Sequence, residues 1–170
     1  TGVLFPTFNV SDANGTDISV PYYINLDPQY DLLLRPRWIE DRGNLLEGEL
    51  RYLHGSPGYS AGTGELGIGW IGKDRLYGDE ARHIARFRHV GNPREEWQLL
   101  ADVTAISDED YLNDLDTRLS VSRDSHLDRV VQTSWTADRW TALLRVQDFR
   151  TINPLIAPAD RPYRRMPQLG

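Results

Sequence analysis

From residue 17 to residue 53 the chain alternates. Ile18, Val20, Tyr22 and Ile24 share one parity against Asp17, Ser19 and Asn25; Tyr30, Leu32, Leu34 and Trp38 oppose Asp31, Arg35 and Arg37; Leu46, Leu50 and Tyr52 oppose Glu47, Glu49 and Arg51. A period of two sends successive side chains to opposite faces of an extended strand, so three consecutive strands each carry one apolar and one charged face. Read at 3.6 residues per turn, the same residues would scatter charge around a helix, so the pattern fixes the class as β. Further candidates lie at 3–11, 64–72, 82–90, 96–106, 128–136 and 139–149, which with 16–25, 29–40 and 43–54 give nine strands and the beginning of a tenth. Helical spacing is poor throughout, with a weak possibility at 79–90.

The connections favour an antiparallel up-and-down meander. Asn14-Gly15 predicts a two-residue hairpin turn, because both residues tolerate the positive φ of a type I′ turn. Asp27-Pro28, Asp41-Arg42-Gly43-Asn44 and Thr136-Ala137-Asp138 are also tight, whereas 73–81, 107–127 and 150–163 read as long polar loops. The long loops follow alternate strands and so gather at one end, as in a transmembrane β-barrel. The strands at 16–25, 29–40, 43–54, 96–106 and 139–149 have the about 9–11 residues needed to cross a membrane at a tilt, against about 5–6 in most globular sheets. Tyr22, Tyr30, Trp38, Tyr52, Trp70, Trp97 and Trp140 fall at or near strand ends on the apolar parity, where an aromatic girdle would lie. A soluble sandwich or a lipocalin-like barrel, with those aromatics filling its core, is the competing reading.

Composition removes other classes. The 170 residues contain no Cys, which excludes disulfides, zinc–thiolate and iron–sulfur sites and a cysteine nucleophile in this segment. A formal charge of −6 argues against nucleic-acid binding by bulk electrostatics. No Ser–His–Asp arrangement, nucleophile elbow or phosphate loop is present, so no enzymatic activity is expected and no cofactor is implied. No metal site is expected either. His83 and His89 share a parity but stand roughly 20 Å apart along a strand, and His54 and His126 read as isolated surface residues. The acidic run Asp108, Glu109, Asp110, Asp114 and Asp116 offers oxygen ligands but lacks the glycine and terminal glutamate of an EF-hand loop; it reads as a solvated or inward-folded loop.

Particular runs carry a family resemblance. Gly2-Val3-Leu4-Phe5-Pro6, Val20-Pro21-Tyr22-Tyr23-Ile24-Asn25, Pro28-Gln29-Tyr30-Asp31, Arg35-Pro36-Arg37, Arg42-Gly43 and Gly48-Glu49-Leu50-Arg51-Tyr52-Leu53 resemble the lipopolysaccharide-assembly outer-membrane family LptD, also called Imp or OstA. The stretches 105–115 and 167–169 are similar too, whereas 73–95 matches weakly. Asp27 and Leu50 depart from the family's usual small residue and Phe.

The resemblance implies that residues 1–170 form the first strands of a large transmembrane barrel of about two dozen strands. The periplasmic domain before them and the remaining strands after them would be missing. It implies a bacterial outer-membrane location and transport of lipopolysaccharide to the outer leaflet. Its implied partners are an LptE-type lipoprotein plug, outer-membrane lipid and, through the missing N-terminal domain, a periplasmic lipopolysaccharide-bridge protein. Pro6 and Pro21 match the family's lateral-gate positions between the first and last strands. Each removes a ladder hydrogen bond, although proline on an edge strand also simply discourages aggregation. Asp31, Arg35, Arg37, Glu47, Glu49, Arg51 and Glu65 would face the lumen, the arginines contacting phosphates or the whole set forming a charge lattice. A small complete outer-membrane barrel and a soluble β-sandwich binding module are the alternatives.

Overall fold

The computed structural model describes residues 1–55, 61–121, 126–152 and 165–170. Among them lies one antiparallel all-β meander. The first strand predicted from the sequence appears as β1 (Gly2–Val3) and β2 (Thr7–Ser11), and the second as β3 (Gly15–Ser19) and β4 (Tyr22–Asp27). The rest follow one for one: β5 (Tyr30–Ile39), β6 (Gly43–Gly55), β7 (Ala61–Asp74), β8 (Glu80–Arg94), β9 (Trp97–Ile106), β10 (His126–Ala137), β11 (Trp140–Thr151) and, as the tenth, β12 (Arg165–Leu169). A single helical turn, α1 (Tyr111–Asp114), follows β9. Neighbours run β1-β4-β5-β6-β7-β8-β9-β10-β11-β12, while β2 pairs with β3 and β3 also pairs with β5.

Several local expectations are corrected. The weak helical signal at 79–90 is overridden, because β8 alternates Arg82, Ile84 and Arg86, all buried, with exposed Ala81, His83 and Phe87. Asn14-Gly15 does not form a two-residue turn. Residues 12–14 make a three-residue connection closed by the Ser11↔Gly15 pair, and among these only Gly15 takes a positive φ, of 70°. That is the three-residue hairpin with a left-handed closing residue. The supposed long loop at 73–81 shrinks to residues 75–79, because Asp74 C=O accepts amides from both Tyr77 and Asp79, and Gly78 and Asp79 supply the positive φ angles. His126 opens β10 rather than lying in a loop. Most of the predicted loop at 150–163 lies outside the described residues.

The chain forms two compact units. The first comprises Thr1–Arg51, Leu66–Ala85 and Ala105–Ser120, and the second Tyr52–Glu65, Arg86–Thr104 and Val121–Gly170. In the first, the apolar face of the sheet is open, with Trp38 45%, Leu46 49%, Ile68 50% and Trp70 54% exposed. Its core lies on the opposite face, the one that carries the charges. There Ile39, Leu45, Ile71, Ile84 and Ile106 are buried together with Tyr111, Leu112, Leu115 and Leu119 of the segment after β9. In the second unit β10 and β11 form a continuous ladder from His126↔Thr151 to Ala137↔Trp140, and Trp97 faces Trp135 across β9 and β10.

Candidate functional site

Pro6 and Pro21, the two prolines expected at a gate, both fall at strand breaks. Three residues, Leu4 to Pro6, stand opposite two, Val20 and Pro21, between the Val3↔Tyr22 and Thr7↔Ser19 pairs, so the first strand bulges there. A hydrogen-bonded antiparallel pair exchanges two N–H···O bonds. Leu4 N–H donates to Pro21 C=O at 2.8 Å and Val20 N–H donates to Pro36 C=O at 3.2 Å. Proline has no amide hydrogen, so neither return bond can form. Pro21 and Pro36 thus each leave a pair half-made at one level of neighbouring strands, and Pro6 lies in the bulge beside them. Pro36 has the same effect as Pro21, a role its position inside a long alternating strand gave no reason to assign.

A second assembly sits on the charged face of the first unit, where residues 107–120 fold against it. Two glycines of β7 make the room. A Cβ at Gly67 would lie 2.8 Å from Leu119 Cδ2, and one at Gly69 would lie 2.8 Å from both Tyr111 Oη and Ile84 Cγ2. Farther along, Thr117 Oγ1 donates to Glu47 Oε1 at 2.5 Å, and Arg118 N–H donates to the same carboxylate. Burial pushes the Tyr111 phenol above its ordinary range, and the neighbouring Glu47 carboxylate adds to that.

Arg82 anchors this assembly. Its Nε and Nη2 form a fork on Asp108, at 2.9 and 2.6 Å, and Nη1 reaches Asp74 at 2.8 Å and Asp114 at 2.9 Å. The guanidinium stacks 4.1 Å above the Tyr77 ring. Arg42 joins from the other side, donating to Asp74 Oδ2 at 2.8 Å and through Nε to Asn14 Oδ1 at 2.6 Å. Asp74 is completely buried and Arg82 is 1% exposed. Charges so deprived of water persist only when paired and hydrogen-bonded, and here two arginines face three aspartates. Burial alone would raise the Asp108 carboxyl, but the hydrogen bonds from Arg82 and Ser107 outweigh it and hold it below its ordinary range.

Two contacts join this segment to the β2–β3 hairpin. Asn14 Nδ2 donates to Asp114 C=O at 3.0 Å. Arg37 holds Asp17 of β3 at 2.5 Å and donates through Nη1 to the carbonyls of Leu115 and Asp116, at 2.9 and 3.2 Å.

The other charged residues expected on this face mostly pair along it. Arg35 meets Glu49 at 3.2 Å, and Arg51 meets Asp31 at 2.8 Å. Glu65 Oε1 is buried with no hydrogen-bond partner among the described residues. Among the expected girdle residues, Tyr22, Tyr30, Trp38, Trp70, Trp97 and Trp140 are exposed. Tyr52 is half-buried, its hydroxyl 2.8 Å from His89 Nδ1. His54 is no isolated surface residue. It packs against both Tyr52 and His89, which also stack on each other, the three centroids 5.8 to 6.3 Å apart, over Gly62, where a Cβ would fall within 3 Å of both imidazoles. Sequence reasoning missed Asn14, Arg42, Asp74 and Arg82 as a group. Only the acidic run that supplies Asp108 and Asp114 pointed toward them.

Comparison with known proteins agrees with this architecture. The family described as LptD, LPS transport system D, matches residues 80–170. A relative named LPS-assembly protein LptD from Alcanivorax borkumensis is 42% identical over 99% of this chain, which covers 22% of that protein. Proteins of the same name from Shewanella oneidensis and Idiomarina loihiensis are 35% and 34% identical over all of this chain and 21% of theirs. The chain therefore spans about a fifth of the length of these curated relatives. With its antiparallel meander and a family match over more than half its length, it belongs to the LptD family.

Proposed function

We propose that residues 1–170 form the opening strands of an outer-membrane β-barrel that delivers lipopolysaccharide to the outer leaflet, with the proline-thinned strands on one side of its lateral gate. The observation that carries the reading is the pair of half-made contacts, Leu4 with Pro21 and Val20 with Pro36, each keeping one bond of two. Their location refines the gate. The bond that Pro21 lacks belongs to the junction of the first and second strands, so it frees the first strand to swing out for an acyl chain rather than weakening its contact with a closing strand.

The exposed aromatics, Trp38 and Trp70 in the first unit and Trp97 and Trp140 in the second, suit a lipid boundary with interfacial anchors. The opposite face would then line the lumen. There Arg35, Arg37 and Arg51 are engaged with carboxylates, which favours a lattice that stiffens the wall over direct phosphate contact. Lipopolysaccharide, a lipoprotein plug and a periplasmic bridge protein are the partners of this reading. The test is the outer-leaflet lipopolysaccharide of cells whose only copy carries an N–H-bearing residue at position 6 or 21. Reduced delivery supports the gate, and unchanged delivery removes it.

A further inference from the structure

Three rings of the second unit meet over glycines. Tyr52 and His54 of β6 and His89 of β8 reach across β7, where a Cβ at Gly64 would collide with the Tyr52 ring. A Cβ at Gly62 would lie 2.8 Å from His54 Cε1 and 2.9 Å from His89 Cε1, and one at Gly91 would lie 3.1 Å from His89 Nε2. The Cε1 atom of an imidazole sits between its two nitrogens, so both histidines turn a nitrogen-bearing edge toward the same point above Gly62. Their planes differ by 9° and their centroids are 5.8 Å apart. Two imidazoles on one ion, each at a metal–nitrogen distance of about 2.0–2.1 Å, have their centres roughly 5–6.5 Å apart. The pair already stands at that separation.

We infer that His54 and His89 bind a transition-metal dication of the Ni²⁺, Cu²⁺ or Zn²⁺ class, with Tyr52 as the positioning residue behind His89. Imidazole nitrogen suits these ions, whereas Mg²⁺ and Ca²⁺ take oxygen ligands. Tyr52 Oη is 2.8 Å from His89 Nδ1. An ion on Nε2 selects the tautomer whose Nδ1–H donates to the phenol oxygen, and a hydrogen bond of that kind orients a ligating ring and raises its basicity. No third His, Asp or Glu joins the pair in a metal-holding group among the described residues, so water completes the coordination. Both imidazoles are half-buried, and His54 is one residue from the end of β6 while Gly62 is one from the start of β7, so the site lies where the strands run out. An ion held there ties β6 to β8 across β7 and stabilises the fold by mass action. None of this depends on the gate.

The test is calorimetric titration of Ni²⁺ alone into the untagged full-length protein in detergent, with the thermal midpoint measured with and without the ion. The parent should bind one more ion than His54→Phe, which keeps a ring over Gly62 but offers no nitrogen, and its midpoint should rise on adding Ni²⁺ while that of the variant stays put. His89→Phe should give the same result from the other ring, which guards against a folding defect in either variant; the midpoints without ion show whether each is folded. Tyr52→Phe keeps its ring over Gly64 and loses only the oxygen behind Nδ1, so it should keep the site and weaken it about tenfold. Mg²⁺ should not distinguish these proteins. A parent that takes up no more Ni²⁺ than the two histidine variants overturns the site and leaves the rings as a cover for the glycines. Tyr52→Phe binding at the parent's affinity overturns the part assigned to the phenol.

Discussion

Giving position 21 an amide hydrogen should slow lipopolysaccharide delivery, and the size of the effect follows from the Leu4–Pro21 pair. In Pro21→Ala the new N–H faces Leu4 C=O and completes the two-bond exchange of which Leu4 N–H to Pro21 C=O is the existing half. A ladder hydrogen bond contributes about 1 kcal/mol net, so the swung-out first strand should become roughly fivefold rarer. Proline's effect on chain entropy does not enter, because the second strand stays paired with β5 whether the first strand is in or out. β1 otherwise rests on only two register pairs, Gly2↔Tyr23 and Val3↔Tyr22, so one added bond is a large fraction of what holds it. The assay is pulse-labelled lipopolysaccharide reaching the cell surface, in cells with Pro21→Ala as sole copy. Pro28→Ala serves as a control, since residues 28 and 29 form the turn between Asp27 and Tyr30. Hydrogen exchange at residue 21 reports whether the bond forms. A protected amide there, with delivery equal to that of the control, would refute the reasoning.

Three other outcomes follow from the buried assembly. Arg82→Met leaves Asp74 with Arg42 alone and strips Asp108 of its fork; it should cost about 3–5 kcal/mol, read as a lower denaturant midpoint. A loss below about 1 kcal/mol would show that the carboxylates find other partners. Gly69→Ala places a methyl against Tyr111 Oη and Ile84 Cγ2 and should cost about 1–3 kcal/mol, with faster proteolysis within 107–120; unaltered cleavage would count against the fitted seat. The Asp108 carboxyl sits below its ordinary value of 3.8 in the folded protein, so its stabilising share is complete above that value and disappears as pH falls through the lower, folded one. Asp108→Asn should therefore flatten that acid limb of stability, and an acid limb identical to the parent's would assign it to other carboxylates.

The strands were legible because their determinant is local. Alternation around Glu47, Glu49 and Arg51, or around Trp140, Ala142, Leu144 and Val146, needs no knowledge of the neighbours. The split of the first two strands was half visible: Pro6 and Pro21 marked lost donors, but that Pro36 shares their level depends on a register that periodicity does not encode. The short turn at 75–79 was hidden because polar residues such as Asp74 and Glu80 read as loop, while in the fold they end strands, Asp74 by burying its carboxylate against two arginines. The largest gap was the charged face itself. Its parity suggested uniform wetness, yet Ile39, Leu45, Ile71 and Ile84 share it and are sealed by a segment whose own apolar residues show no helical or strand period. Arg82, Asp108 and Asp114 meet only in three dimensions, and a run of acids gives no hint of which arginine will claim it.

The reach of the Asn14–Asp114 contact, one hundred residues along the chain, has a bearing on how the protein is made. Hairpins such as Thr7–Ser19 and His126–Thr151 close over short loops and can form early, whereas a bond spanning so much chain must wait until the intervening strands are in register. Until then Arg82 lacks Asp108 and Asp114, and a hydrocarbon environment would penalise it heavily in that state. The order of events is thereby constrained. On the outer-membrane reading, strands β5 to β8 assemble with this end still in water and the segment after β9 locks down last, so a premature plunge into lipid would trap a chain whose charges have not yet met.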